Sequence, residues 1–388
     1  MREDPNVKAK NTEEVSLRGF LRFMCEHLRV SYEAITDTAR KQPVISKDTV
    51  ANALVGATVQ GARSVREADF LSASPVVREV LGRRVPDSTL CRVVGGFQGT
   101  ERLLARLWRR LRAQGKLGID GQHVGVIDGT SLGGHLTSVL AEVGQTPALV
   151  ATAPIPGTGN ELSASLGLLK RLAPREKGSF HYVLGDGLYA CEGFWKACQR
   201  LRCFGLVKSS EERPFAALEQ ARQLFDHPIR GRNVGYQFVE DLDLARAIRY
   251  RIWQTTALWA DTRRRLTVAR IQETFLKEGR TECFWVFCQN LAIEPRKLRQ
   301  LAHARWFIEN NVFRAFNMLA SSKHQFSRTP QIGARFTHLQ ALAFMALAAY
   351  RCWLEARSLA PRLHDHGRIP LRLLQSVFRL VLSPVNSS

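Results

Sequence analysis

Hydrophobic positions change their spacing twice along this chain. From Ser16 to Val30, Leu17, Phe20, Leu21, Met24 and Leu28 recur at helical spacing. Pro86-Asp87-Ser88-Thr89 supplies a helix start just before Leu90. A further helix is predicted over about residues 100–114, where Leu103, Leu104, Leu107 and Leu111 share one side. Arg102, Arg106, Arg109, Arg110 and Arg112 are interleaved there with no acid among them, which makes either a solvated charged face or a face for phosphates. Residues 1–15 are polar and read as loosely held.

The first change follows the turn-rich stretch Gly115 to Gly121. His123-Val124-Gly125-Val126-Ile127 is a short apolar run ending in Asp128-Gly129-Thr130, and Phe180-His181-Tyr182-Val183-Leu184 is another ending in Gly185-Asp186-Gly187. Each reads as a buried strand whose last residue hands over to an acid. Glu192 to Leu201 has helical spacing through Phe194, Trp195, Cys198 and Leu201, and Phe204 to Lys208 reads as a further strand. Strand, helix, strand predicts an α/β core. From about 229 to 290 the texture is that of strands, with alternation in Tyr250 to Gln254 and Arg265 to Arg270 and a turn at Glu278-Gly279. At Pro295 the pattern returns to helix and is expected to stay so to about Ala356, with Pro361, Pro370 and Pro384 punctuating the tail.

Length and composition narrow the classes. The chain has 388 residues, 45% hydrophobic and 23% charged, an ordinary globular balance with room for about two to four domains. Collagen-like, low-complexity and wholly disordered readings are excluded. The longest uncharged run, Phe336 to Tyr350, is shorter than the ~20 residues of a membrane span and predicts a buried core helix. The polar N-terminus has no apolar signal core, so a cytoplasmic protein without a membrane partner is expected. Eight cysteines at scattered positions contain no CxxC pair, which points to free thiols rather than a zinc site. The net charge of +21 points to a polyanionic partner, with nucleic acid the leading candidate, the alternative being a basic protein whose charge serves only solubility.

Three carboxylates stand out by position. Asp128 and Asp186 each follow a predicted strand, where α/β sheets place their chemistry. Glu309 lies in Arg305-Trp306-Phe307-Ile308-Glu309-Asn310-Asn311-Val312-Phe313, next to the apolar stripe Ile308, Val312, Phe316 and Leu319. Taken singly, the first two are equally readable as Asp-Gly turns and the third as an ion pair with Arg305 one turn back.

Together these stretches resemble DDE-type bacterial insertion-sequence transposases. Val126-Ile127-Asp128-Gly129-Thr130 is similar to the first acidic motif, and Tyr182-Val183-Leu184-Gly185-Asp186-Gly187-Leu188-Tyr189 to the second, an Asp at a strand end with a Tyr shortly after. Arg305 to Phe313 is similar to the third, the "RW-x-IE-x-x-F" helix. The resemblance covers about 120–350. It implies an α/β, ribonuclease-H-like (retroviral-integrase-like) core over 119–208, a β-rich insertion over 209–295, and a C-terminal helical part and tail over 296–388. Residues 1–118 would be the N-terminal helical DNA-binding region.

The implied function is a DNA transposase. Asp128, Asp186 and Glu309 would be catalytic and hold two Mg²⁺ ions, with Mn²⁺ as a substitute, and Arg305 would contact a DNA phosphate. The implied partners are double-stranded DNA, both the element's terminal repeats and the target, with a homodimer on DNA in a bacterial nucleoid. The chain departs from the subgroup's signature, carrying Ala302 and Phe316 where a Tyr and a Lys are usual. His303, Arg314 and Lys323 are the nearby groups that could stand in. The alternatives are a non-catalytic DNA-binding relative of a transposase and a DNA nuclease of the same fold.

Overall fold

Leu103, Leu104, Leu107 and Leu111 are all buried, while Arg102, Arg106, Arg109 and Arg110 are exposed. The arginine-rich segment is therefore one helix with an apolar stripe, as its spacing requires. The computed structural model describes residues 16–28, 36–37, 44–132, 135–144, 146, 148–157, 160–210, 216–226, 235–259, 264–314, 316 and 326–357. Helices α1 (Leu17–Phe23), α2 (Lys47–Val59), α3 (Val65–Ser72), α4 (Pro75–Leu81), α5 (Asp87–Gly96) and α6 (Thr100–Ala113) come first, with the short strands β1 (Thr36–Asp37) and β2 (Phe97–Gln98) among them. Next come β3 (Val124–Leu132), β4 (His135–Glu142), β5 (Ala148–Pro154), α7 (Glu161–Glu176), β6 (Tyr182–Gly185), α8 (Glu192–Leu201), β7 (Phe204–Ser209) and α9 (Ala216–Asp226). The last are β8 (Tyr236–Asp243), β9 (Ile248–Leu258), β10 (Arg265–Phe275), β11 (Arg280–Cys288), α10 (Pro295–Ala304) and α11 (Pro330–Ala356).

The fold is α/β with a mixed nine-stranded sheet in the order β5-β4-β3-β6-β7-β11-β10-β9-β8. The chain divides into two compact units, one of Met1–Leu117, Gly129–Thr158 and Glu309–Ser388, the other of Gly118–Asp128 and Gly159–Ile308.

In the first unit α11 packs against α2, α5, α6 and β5. Phe336, Leu339, Leu342, Phe344 and Leu347 on α11 are buried, and each such side chain contributes about 1.5–3 kcal/mol by leaving water. Tyr350 takes Phe20 at 5.4 Å and Phe23 at 5.2 Å between ring centres. The Trp108 indole N–H donates to the buried Glu142 carboxylate at 2.6 Å. This helix is long and apolar enough to cross a membrane, but 78% of its most apolar window is buried inside the protein, as in a core helix. The expected buried helix over Phe336 to Tyr350 is thus present.

The second unit is built on β6 and β7, parallel neighbours joined by α8. Phe194, Trp195, Cys198 and Leu201 of α8 are buried, as their spacing predicts. Beyond β7 the strands β11, β10, β9 and β8 continue antiparallel. On β9, Ile248, Tyr250 and Ile252 face inward and alternate with the exposed Arg249 and Arg251. The stretch expected to be β-rich opens instead with α9, whose Phe225 ring stacks on Trp285 at 5.9 Å. Trp259 and Trp285 are buried in the core, and Arg270 lies 4.6 Å over the half-buried Trp253.

Several expectations need correction. Strand β3 does not end at Asp128 but runs on to Leu132, because Thr130 to Leu132 keep extended backbone beside β4. The C-terminal part is not one helix. Helix α10 stops at Ala304, Arg305 caps it, and Ile308–Phe313 forms a π-helical segment. Cys198, Cys203, Cys288 and Cys352 are buried free thiols, but Cys25, Cys91 and Cys283 are exposed. The tail prolines and Lys323 lie outside the described residues.

Candidate active site

Parallel pairing sets the first half of β3 beside β6, and β6 beside β7. β3 and β6 pair in the register Val124↔Tyr182, Gly125↔Val183 and Val126↔Leu184. Two residues further along stand Asp128, within β3, and Asp186, the first residue after β6. β6 and β7 pair from Tyr182↔Phe204 to Gly185↔Val207, so the next position on β7 opposite Asp186 is Lys208. Continued by those residues, the register brings Asp128, Asp186 and Lys208 level with one another, with neighbouring strands about 4.8 Å apart. Residues level with one another in a parallel sheet project to the same face, so the three side chains leave the sheet together. Sequence spacing could place each acid at a strand end, but only pairing puts them level.

The turn after β6 holds Asp186 in place. Its backbone stays extended, with φ −84° and ψ −175°, and its carboxylate caps the 3₁₀ turn Gly187–Tyr189 by accepting the Leu188 N–H at 2.8 Å. Gly185 is required by what lies over it, since a Cβ there would stand 2.8 Å from the Tyr189 ring. Tyr189 is fully buried, donates to Glu161 at 3.0 Å and meets the Ser165 hydroxyl at 3.0 Å. Burial pushes its phenol well above the usual range, so it stays a neutral donor. The Tyr of this sequence stretch is thus an anchor that ties the Asp186 turn to α7.

Arg305, the cap residue of α10, points its guanidinium at Asp128, with Nη1 3.6 Å from Oδ2. This is an ion pair beyond hydrogen-bond range. Lys208 is held in another way. Its ammonium lies 3.9 Å from the Phe284 ring centre and 4.0 Å from that of Trp306, a cation between two aromatic faces. Asp186, Leu188, Lys208, Glu282, Arg305 and Trp306 are among the residues lining an open cleft of about 620 Å³. Trp306 is 37% exposed.

Behind the cleft a buried network fixes α10. Glu273 is fully buried, accepts a short hydrogen bond from Arg299 Nε and meets His303 Nε2 at 2.7 Å. Burial alone would raise its carboxyl, but His303 and Arg299 together outweigh that and hold it below the usual carboxylate range. His303 in turn makes edge contacts with Phe284 at 5.9 Å and Trp306 at 6.0 Å.

The remaining sequence candidates fall as follows. Glu309 is exposed, in the π-helical segment, so the burial penalty inferred from its apolar neighbours does not arise. Ile308 and Val312, on either side of it, carry the burial instead. Ala302 is buried in α10, and Phe316 is buried with its ring 5.7 Å from Phe344. Of the groups that could stand in for the missing Tyr and Lys, His303 is engaged by Glu273 and Arg314 is exposed. Among the described residues no group of three or more His, Cys, Asp or Glu side chains could hold a metal ion. The Asp128 and Asp186 pair supplies the oxygen donors that Mg²⁺ prefers, and so fits the cation in chemistry without completing a three-carboxylate set. Lys208 and Trp306 were missed as functional candidates; the signal was a lysine closing a predicted strand, as Asp186 closes its own.

No protein-family model matches the sequence, and no curated protein matches it.

Proposed function

We propose that this chain is a metal-dependent DNA transposase with a ribonuclease-H-like core, using Asp128, Asp186 and Glu309 as its acidic residues. The observation that carries the reading is that the β3–β6 register, continued two residues, sets Asp128 within β3 level with Asp186 just after β6. The order β5-β4-β3-β6-β7 supports the core assignment, with two parallel neighbours following three consecutive strands. The excess of 56 Lys+Arg over 35 Asp+Glu supports a polyanionic substrate. Glu309 enters through its sequence motif.

In this reading Asp128 and Asp186 present carboxylate oxygens on one face of the sheet, and the Leu188 N–H keeps Asp186 from turning away. Asp128 and Asp186 would hold Mg²⁺ through their carboxylate oxygens, and the ion would stabilise charge developing on the phosphoryl oxygens. Arg305 neutralises Asp128 in the free protein and is within reach of a phosphate entering the cleft. Lys208 adds a second cation, directed by its two rings. Water attacks a phosphodiester at the element's end, and the freed 3′-hydroxyl then attacks target DNA.

The test uses supercoiled plasmid carrying the DNA that flanks the coding sequence, with Mg²⁺. Wild type nicks it, while Asp128→Asn, Asp186→Asn and Glu309→Gln bind it in a gel shift without nicking. Nicking that survives in any of the three removes that residue from the reading. A non-catalytic DNA-binding relative is favoured by the Arg305–Asp128 ion pair and by the apolar burial of Ala302 and Phe316. It predicts that wild type binds the same DNA yet nicks nothing with either Mg²⁺ or Mn²⁺.

A further inference from the structure

A second cleft opens at the amino ends of β6 and β7, about 980 Å³ in volume. Tyr182 and Phe204 begin these strands and are paired in register. Asp186 and Lys208 lie four residues further along, about 13 Å away at ~3.3 Å per residue, so this cleft is not the aspartate site.

Its walls combine three kinds of group. The first is aromatic surface. Phe204 is 43% exposed although it sits in a strand, its ring 5.7 Å from Tyr182, and Leu291 is 49% exposed beside it. The second is positive charge. The one acid lining the cleft, Glu192, is gripped by Arg264 through two contacts at 3.0 and 3.2 Å. Arg202 and Arg265 also line the cleft and have no acidic partner among the described residues. The third is a buried amide acceptor, Gln122 Oε1, which has no hydrogen-bond partner among the described residues. A flat apolar face, two cations and an acceptor without a donor match a nucleotide. Its base offers a π-face and an amino donor, and its phosphate takes the arginines.

We propose that this cleft binds an unstacked nucleotide, with the base on the Phe204 ring, a base amino group donating to Gln122, and the phosphate at Arg202 and Arg265. The site is independent of the reading given to Asp128 and Asp186. The nucleotide comes either from a single DNA strand or as a free mononucleotide.

The experiment measures fluorescence anisotropy of a labelled 15-nucleotide single strand with full-length protein in EDTA, and separately competition by dAMP. Phe204→Ala removes the exposed ring. Arg202→Asn removes the charge and keeps a residue suited to the left-handed backbone there, φ 56°. Circular dichroism and the melting temperature verify that both variants are folded. Each variant should weaken single-strand binding about tenfold. Competition by dAMP that is itself weakened in the variants identifies the free nucleotide as the source, and single-strand binding without such competition identifies the strand. If wild type binds neither probe, or both variants bind them as tightly as wild type, the proposal is overturned.

Discussion

Arg305 and Asp128 form an ion pair at 3.6 Å, with the arginine side chain only 11% exposed and the aspartate 17%. A guanidinium this close competes with any cation for the same carboxylate. Under the proposed function, the pair would govern how the site answers to metal and to DNA.

Removing the competitor strengthens cation binding. Arg305→Ala should lower the Mg²⁺ concentration at the midpoint of a thermal-shift titration by at least about fivefold, since a pair this far buried exceeds the ~1 kcal/mol of an exposed one. Asp186→Asn should abolish the Mg²⁺-dependent rise in melting temperature, which at a hundredfold excess over Kd corresponds to about 2.7 kcal/mol. An unchanged Mg²⁺ response in Asp186→Asn would exclude this carboxylate as a ligand.

Lys208 is expected to act through phosphate. Lys208→Ala should weaken duplex DNA binding and reduce the slope of log K against log salt by about 0.9, one released counterion. An unaltered slope would confine Lys208 to packing between Phe284 and Trp306.

Glu273 links the fold to pH. Because its folded-state carboxyl titrates below the ordinary value of 4.5, its contribution is complete above that value and is lost as pH falls through the folded one. Melting temperatures measured from pH 7 down to pH 3 should fall in wild type below about pH 4.5. Glu273→Gln should melt lower at pH 7, since Arg299 and His303 lose a charged partner, and should show a shallower acid limb. A variant with the wild-type acid limb would assign that fall to other groups.

The lysine that the resemblance would put at position 316 cannot simply be introduced. Phe316 is 1% exposed and packs on Phe344. Phe316→Lys should therefore destabilise by about 3–5 kcal/mol, as loss of a buried Phe does, before any cost of the charge. Chemical denaturation would measure it, and a loss below about 1 kcal/mol would mean the position can open to water.

Asp128 and Asp186 are legible in residue order alone, because each closes a short apolar run with Asp-Gly, and such a run reads as a buried strand handing over to an acid. Residue order also determined the stripe of α6 and the burial of α8 and α11, since helical period and side-chain character are local properties. What lay beyond reach was decided by contacts between distant segments. Register across β3, β6 and β7 brought Lys208 level with the two acids. The approach of α10 brought Arg305 to Asp128 and Trp306 to Lys208. The halt of α10 at Ala304 and the π-helical turn after it left Glu309 exposed, although an unbroken helical period would have run it along the apolar stripe. A strand's hydrogen bonds and a helix's end depend on which neighbour supplies partners, and the chain's order does not specify that neighbour until the whole has packed.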